Sequence, residues 1–134
     1  MSIFANISLK TIESVIFALN NDAQLSNIIS GAYVQPPENA PTPYLIMRPP
    51  LLQNRSSAGI NIAELLVAID IFSTSKGVIE AHNIAIRIHY VMNNLLNLAP
   101  HKLLDTRFIE QQFNLERRGE LRQSQIKFRM MIEE

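Results

Sequence analysis

The chain has little of what most chemical sites need: its 134 residues include no cysteine and no tryptophan, and only 18% of them are charged. The missing cysteines exclude disulfides, thiolate nucleophiles, cysteine-bound zinc and iron–sulfur clusters. Twelve basic residues balance twelve acidic ones, giving a formal net charge of zero, whereas proteins that bind nucleic acid usually carry a basic excess. A surface with few ions is covered by another protein at a low desolvation cost, so the composition favours a protein partner.

Long apolar runs and glycine-rich loops are also missing. No uninterrupted apolar run approaches the roughly 18 residues that span a bilayer, and the segment Met1 to Lys10 lacks the pattern of a signal peptide. We therefore expect a soluble, intracellular protein with no membrane partner. The four glycines stand singly, which argues against a phosphate-binding loop. The length fits one domain over residues 1–134, since domains most often have about 100–150 residues.

The remaining polar residues form no catalytic or metal-binding pattern. His82 and His89 lie about 10 Å apart along a predicted helix, too far for one metal ion. No serine has the Gly-x-Ser-x-Gly context of a hydrolase nucleophile. Glu64 and Asp70 share a face of a predicted strand but lie about 20 Å apart, too far to act as an acid–base pair. We predict no catalytic residue, no metal and no cofactor, and hence a protein that is not an enzyme.

Apolar periodicity predicts three helices. The first runs from Ser8 to Asn21 with Ser8 as its N-cap. A short helical turn follows Asp22, which is predicted to cap it, and Gly31 is expected to end it in the left-handed conformation. The third helix is predicted from Lys76 to about Asn97, with Ser75 as its N-cap.

Alternating and β-branched segments predict five strands, at Ala32–Val34, Tyr44–Arg48, Ile62–Ser73, Leu103–Leu115 and Ser124–Ile132. Between them lie a polar loop or long hairpin tip over Leu51–Ile60 and a hairpin connection over Glu116–Glu120. The predicted fold class is α+β. We expect a two-layer sandwich, in which two helices cover one face of a mostly antiparallel sheet of four or five strands.

The order of these features resembles one family. A capped N-terminal helix and a short strand lead into the proline loop Ala40-Pro41-Thr42-Pro43-Tyr44, and a strand ending in Phe72-Ser73 leads into Lys76-Gly77 of the long helix. The C-terminal hairpin closes on Ile126-Lys127-Phe128-Arg129. Over about residues 8 to 132 the chain is similar to the tail-completion, or tail-terminator, proteins of long-tailed bacteriophages, prophages and gene transfer agents.

The resemblance implies a non-enzymatic structural role. Such proteins form rings, often hexameric, at the head-proximal end of the tail tube, where they stop its polymerisation and provide the surface on which the head connector docks. The implied partners are further copies of the chain, the tail tube protein and a head connector protein. The implied location is the bacterial cytoplasm during assembly and then the head–tail junction of the particle. For contacts with partners we predict Arg48, Arg55, Arg117, Arg118 and Glu120.

Two alternatives remain open at this stage. The first is a head-side connector or head–tail joining protein, which also needs ring-forming α+β subunits. The second is a small-molecule or nucleic-acid-binding α+β module that uses the basic stretch from Arg117 to Arg129. The neutral total charge disfavours specific nucleic-acid binding. Residues 1–75 carry three basic and five acidic groups and residues 76–134 carry nine and seven, an asymmetry that suits contacts between unlike surfaces of neighbouring copies.

Overall fold

A computed structural model describes residues 3–74, 78–118 and 121–134 of the chain, with side chains for 4–74, 78–113 and 121–134. The helices in this part of the chain are α1 (Ile3–Asn21), α2 (Ala23–Ser26) and α3 (Ile79–Asn94). The strands are β1 (Ala32–Tyr33), β2 (Tyr44–Met47), β3 (Leu51–Asn54), β4 (Ile62–Ser73), β5 (Lys102–Arg118) and β6 (Leu121–Glu133).

The strands form one mixed sheet in the order β1-β2-β4-β6-β5, and β3 pairs with β4. All pairings are antiparallel except that of β1 with β2. The predicted α+β class is confirmed, although the sheet has six strands where four or five were expected. The additional strand is β3, which lies in the segment predicted as a loop or hairpin tip.

Strands β2 and β3 lie end to end along the same edge of β4. Met47 pairs with Ile69 and Leu51 with Leu66, so the Pro49-Pro50 step separates two pieces of one interrupted strand. Proline has no N–H to donate and is confined to sheet edges and irregular positions, which explains both the interruption and its place.

The core lies between the helices and one face of the sheet. Strand β4 has the predicted bounds, and its alternate residues Leu65, Val67, Ile69 and Ile71 are all buried. They meet an equally buried row on β6 and the apolar side of α3. The period of two in the strands and of 3.6 in the helices therefore produces one continuous apolar layer, made on β6 by Ile126, Phe128, Met130 and Ile132 and on α3 by Ala81, Ile84, Ala85, Ile88, Val91 and Met92.

The helix ends differ from the prediction at several points. Helix α1 begins at Ile3, so Ser8 is an interior residue and the proposed N-cap is wrong; Ile7 is buried and continues the apolar stripe toward the N-terminus. Helix α3 is shorter than predicted at both ends, because residue 78 precedes it and Leu95 follows it. The predicted cap Ser75 lies outside the described residues.

The short helix α2 starts as predicted and ends differently. Asp22 has extended backbone angles and its carboxylate accepts a hydrogen bond from the Leu25 N–H at 3.1 Å, which confirms the N-cap. Gly31 does not have a positive φ, so the left-handed ending is wrong. A Cβ at Gly31 would lie 2.5 Å from the Tyr33 hydroxyl, so a larger residue there requires the Tyr33 side chain to shift.

Asp22 also ties α2 to α3. Arg87 on α3 donates from Nε to Asp22 Oδ2 at 2.8 Å and from Nη2 to Oδ1 at 2.7 Å. The Arg87 hydrogen bonds lower the pKa of the Asp22 carboxyl, and the same bonds raise the pKa of Arg87. This two-pronged geometry fits a planar guanidinium to a carboxylate. It joins the start of α2 to the middle of α3.

The C-terminal hairpin is longer than predicted. Arg117 and Arg118 are strand residues that pair with Arg122 and Leu121, so the first half of the predicted Glu116–Glu120 turn is wrong. The connection between β5 and β6 lies outside the described residues. Two histidines of α3 contact phenylalanines of β5. The rings of His82 and Phe113 are stacked with centroids 3.8 Å apart, and those of His89 and Phe108 have centroids 4.8 Å apart.

Candidate interaction surface

The face of the sheet that points away from the helices carries two buried carboxylates. We call it the open face; it bears Glu64, Leu66, Ala68 and Asp70 of β4 and the alternate residues of the neighbouring strands. Asp70 is fully buried, and Glu64 is 8% exposed. Charges so deeply buried need partners, because removing an unpaired ion from water costs several kcal/mol.

Asp70 is held by three side chains that converge from both neighbouring strands. Arg48 donates through Nε to Oδ2 at 2.6 Å, Gln123 donates to the same oxygen at 3.0 Å, and Gln125 donates to Oδ1 at 2.8 Å. The antiparallel register places Gln125 directly opposite Asp70 and Gln123 two residues along. The result is a compact polar cluster whose single charged donor, among the described residues, is Arg48.

A second, looser cluster surrounds Glu64. Arg55 Nη2 lies 3.5 Å from one carboxylate oxygen and Arg129 Nη1 lies 3.8 Å from the other. Both arginine side chains remain more than a third exposed. One buried acid between two half-exposed guanidinium groups leaves local positive charge at the surface.

An apolar depression separates the two clusters. Its cavity volume is about 360 Å³, and its lining includes Leu51, Leu66, Ala68 and Ile109. Lys127 and Glu110 stand on its rim, 3.3 Å apart. An apolar centre within a polar and charged rim is the arrangement found in protein–protein interfaces.

The structure places two of the five predicted contact residues on the same face of the sheet, in separate clusters. Arg48 and Arg55 both lie on the open face, about half exposed and each bound to a buried acid. Arg117 and Arg118 lie at the far end of β5, with side chains outside the described part, and Glu120 lies wholly outside it. Their roles in partner contacts stay predictions.

Sequence reasoning missed the groups that organise this surface. Asp70 and Glu64 were considered only as a catalytic pair and dismissed on distance. The available signal was their position: each is an acid on an otherwise apolar strand, in line with basic or amide residues on the strands beside it. Pairing partners cannot be read from one sequence, because they depend on the register between strands.

The helical side has a depression of similar volume, about 370 Å³, and several exposed apolar residues. The depression is lined by Lys10, Glu13, Ser14, Phe17, Ala18, Leu95 and Asn97. Phe17 is 69% exposed, Ile79 is 74% exposed and Ile86 is 68% exposed. Single exposed apolar residues are normal on protein surfaces. These residues make the helix layer a second candidate contact surface, but they do not indicate what kind of partner it binds.

Metal-binding clusters and membrane-spanning helices are both absent from the described residues. Within residues 3–74, 78–118 and 121–134, no three histidine, cysteine or acidic side chains are grouped so that they could hold a metal ion. No helix among these residues is both long enough and apolar enough to cross a membrane.

Comparison with protein families identifies the chain. Residues 13–133 match the family described as tail completion protein gp17. The chain belongs to this family. The resemblance seen in the sequence is thereby confirmed, and membership gives the protein a role in tail completion. The matched segment includes every strand of the sheet and therefore the whole open face.

A solved structure shares the fold. The chain superposes on one from a structure titled "Virion of native gene transfer agent (GTA) particle" with a TM-score of 0.83, 19% sequence identity and full coverage of both chains. At that identity the likeness shows the common fold of this family member and the virion chain. No curated protein sequence matches the chain.

Proposed function

We propose that this tail completion protein forms a ring at the head-proximal end of the tail tube, ends tube polymerisation there, and presents the surface on which the head connector docks. Its role is structural and it catalyses no reaction. The observation that carries the proposal is the family match over residues 13–133. Neighbouring copies of the chain, the tail tube protein and the head connector protein are its partners.

The fold and surface chemistry support this role. One chain that is similar to this one over its full length comes from a virion particle. The open face combines an apolar depression with charged and amide groups on both sides. Protein interfaces commonly have an apolar centre that excludes water and a polar rim that provides specificity. The proposed course is synthesis in the bacterial cytoplasm followed by incorporation at the head–tail junction.

Tube polymerisation in solution tests the proposal. Purified tail tube protein is allowed to polymerise with increasing amounts of this chain, and tube lengths are measured in electron micrographs. A terminator shortens the tubes in proportion to its share of the mixture, because each ring that binds removes a growing end. A matched control is the Ala68→Arg variant, which places a charge in the apolar depression of the open face.

The outcomes separate the candidate roles. Tubes that keep their length, with no bound protein, contradict the terminator role. Binding to the head connector while tubes grow unhindered identifies a head-side joining protein instead. Salt-dependent DNA binding that is lost on charge reversal at Arg117 and Arg118 identifies a nucleic-acid-binding module.

A further inference from the structure

In the described part of the chain the sheet has an unpaired strand on each side: on one side β1 covers β2 and leaves β3 unpaired, and on the other side β5 is unpaired. Along one edge, β3 has no partner on its outer side among the described residues, and three of its four residues are exposed. At the opposite edge, the outer side of β5 has no partner among the same residues. Unpaired strand edges readily pair with another chain. In a protein that assembles, such edges are candidate joints.

The directions of the two edge strands suit a ring. β3 is antiparallel to β4, β4 to β6, and β6 to β5, so β3 and β5 run in opposite directions. Rotation about an axis along the strands preserves strand direction. A copy added by such a rotation therefore brings its β3 antiparallel to the β5 of its neighbour, and the same step repeated closes a ring.

The irregularities of the two edges also lie at the same height in the sheet. Val67 and Phe128 face each other on the central strands. At their height the first edge has two residues, Pro49 and Pro50, because Arg48 lies opposite Ala68 and Leu51 opposite Leu66. The second edge also has two residues there, since the register of β5 shifts between Phe108 and Glu110.

Below these matched bulges both edges are regular over the same stretch. Through the central strands, Leu51 is level with Arg107, Leu52 with Thr106 and Gln53 with Asp105. A bulge can end strand pairing or re-aim a side chain. Because the two irregularities lie at the same height, the regular segments beside them, one on each edge, also lie at the same height.

The side chains at these heights are compatible. Arg48 on one edge is level with Glu110 on the other, and Arg48 is half exposed although its Nε binds Asp70. Leu51 is 55% exposed and Ile109 is 45% exposed, each at its own edge of the same apolar depression. If the sheet continues into the next copy, Leu51 of one copy comes near Ile109 of its neighbour. Arg48 and Glu110, which carry opposite charges, then lie beside these two apolar side chains.

Strand β5 also contains an unsatisfied polar group. The Thr106 hydroxyl is buried and has no hydrogen-bond partner in the described part of the chain. A buried hydroxyl without a partner is costly. Thr106 lies in the middle of the regular segment, opposite the buried Met130 of β6.

We propose that copies of the chain join edge to edge, with Leu51–Gln53 of one copy pairing antiparallel to Asp105–Arg107 of the next, so that the sheet continues around the ring. The joint rests on the proposed ring and specifies which surfaces meet. A short ladder buries too little area to hold a stable interface alone. It sets the register, and the flanking loops and helices supply the remaining contact.

The absence of cysteine makes a disulfide test clean. The variant Gln53→Cys/Asp105→Cys places one thiol on each edge at the same height. Residues directly opposite across antiparallel strands have Cβ atoms about 4.5–5.5 Å apart, near the spacing a disulfide needs. The matched control is Gln53→Cys/Glu110→Cys, whose thiols differ in height by about 14 Å at 3.4 Å per residue. Both single variants are included, and thermal melts confirm that all variants fold.

Assembly is first measured by electron microscopy with tail tubes present, and the sample is then oxidised and analysed under denaturing conditions. We expect most chains of the Gln53/Asp105 variant to be linked into a ladder that stops at the ring's copy number, while the control stays monomeric. Rings that form but stay unlinked in this variant overturn the joint and leave the proposed function standing. Linked dimers from either single variant overturn it in favour of two-fold pairing of like edges. Absence of rings at any concentration contradicts both proposals.

Discussion

Removing Arg48 tests how far the open face depends on its buried acid. In the Arg48→Ala variant, Asp70 keeps only the two glutamine donors and loses the arginine that lies 2.6 Å away. Breaking a fully buried ion pair costs about 3–5 kcal/mol, whereas losing one hydrogen bond to a charged group costs about 1.5–3 kcal/mol. The Arg48 side chain is 50% exposed, so water replaces part of what is lost. We expect the variant to lose about 1–3 kcal/mol of unfolding free energy.

A matched pair on the same sheet supplies the control. Arg107 binds Asp105 through the same atoms at the same 2.6 Å distance, but these side chains are 68% and 40% exposed. Arg107→Ala should cost less than about 1 kcal/mol, as for exposed ion pairs. Urea unfolding with unchanged m-values measures both losses.

The double variant Arg48→Ala/Asp70→Asn adds a second check. It removes the charge that Arg48→Ala leaves unpaired, so it should recover part of the stability lost in the single variant. Equal losses in Arg48→Ala and Arg107→Ala, or no recovery in the double variant, would refute the reasoning that burial of Asp70 makes Arg48 necessary.

Three further predictions concern the scaffold. Because Arg87 lowers the pKa of Asp22, the stabilisation from this pair is complete above the unfolded-state pKa of about 3.9 and is lost as the pH falls through the folded-state value; stability curves of the wild type and Asp22→Asn should therefore converge below about pH 4. Ala58 has a φ of 51° before Gly59 at 81°, the positive-φ pair of a tight hairpin turn, so Ala58→Asn should raise the unfolding free energy by about 0.5–1 kcal/mol. Phe128 is fully buried, and Phe128→Ala should lower it by about 3–5 kcal/mol in denaturant titrations.

Much of the scaffold could be predicted because its signals are local. Strand β4 was predicted with its observed bounds, since its apolar residues alternate without a break, and Asp22 was identified as a cap from its place before a short apolar period. The start of α1 was missed because Ser8 offers a cap in a helix that begins earlier. Ile7, which is buried, lies just before the predicted start at Ser8.

The features that could not be predicted depend on strand register. β3 has no clear alternation in its four residues and is a strand because β4 extends beyond β2 and offers it an edge. The grouping of Arg48, Asp70, Gln123 and Gln125 joins residues up to 77 positions apart in the sequence of 134, through pairing that composition does not determine. The sequence predicts Arg48 and Arg55 as partner contacts, whereas their pairing with the buried acids Asp70 and Glu64 depends on the folded chain.

The position of the protein on assembled tubes tests the central claim most directly. Tail tubes polymerised in the presence of this chain are imaged by electron microscopy, with the chain located by a bound antibody fragment. The account predicts a single ring of subunits at one end of each tube, none along its length, and no further growth when tube protein is added at that end. Label spread along the tube wall, or labelled ends that continue to grow, would contradict it.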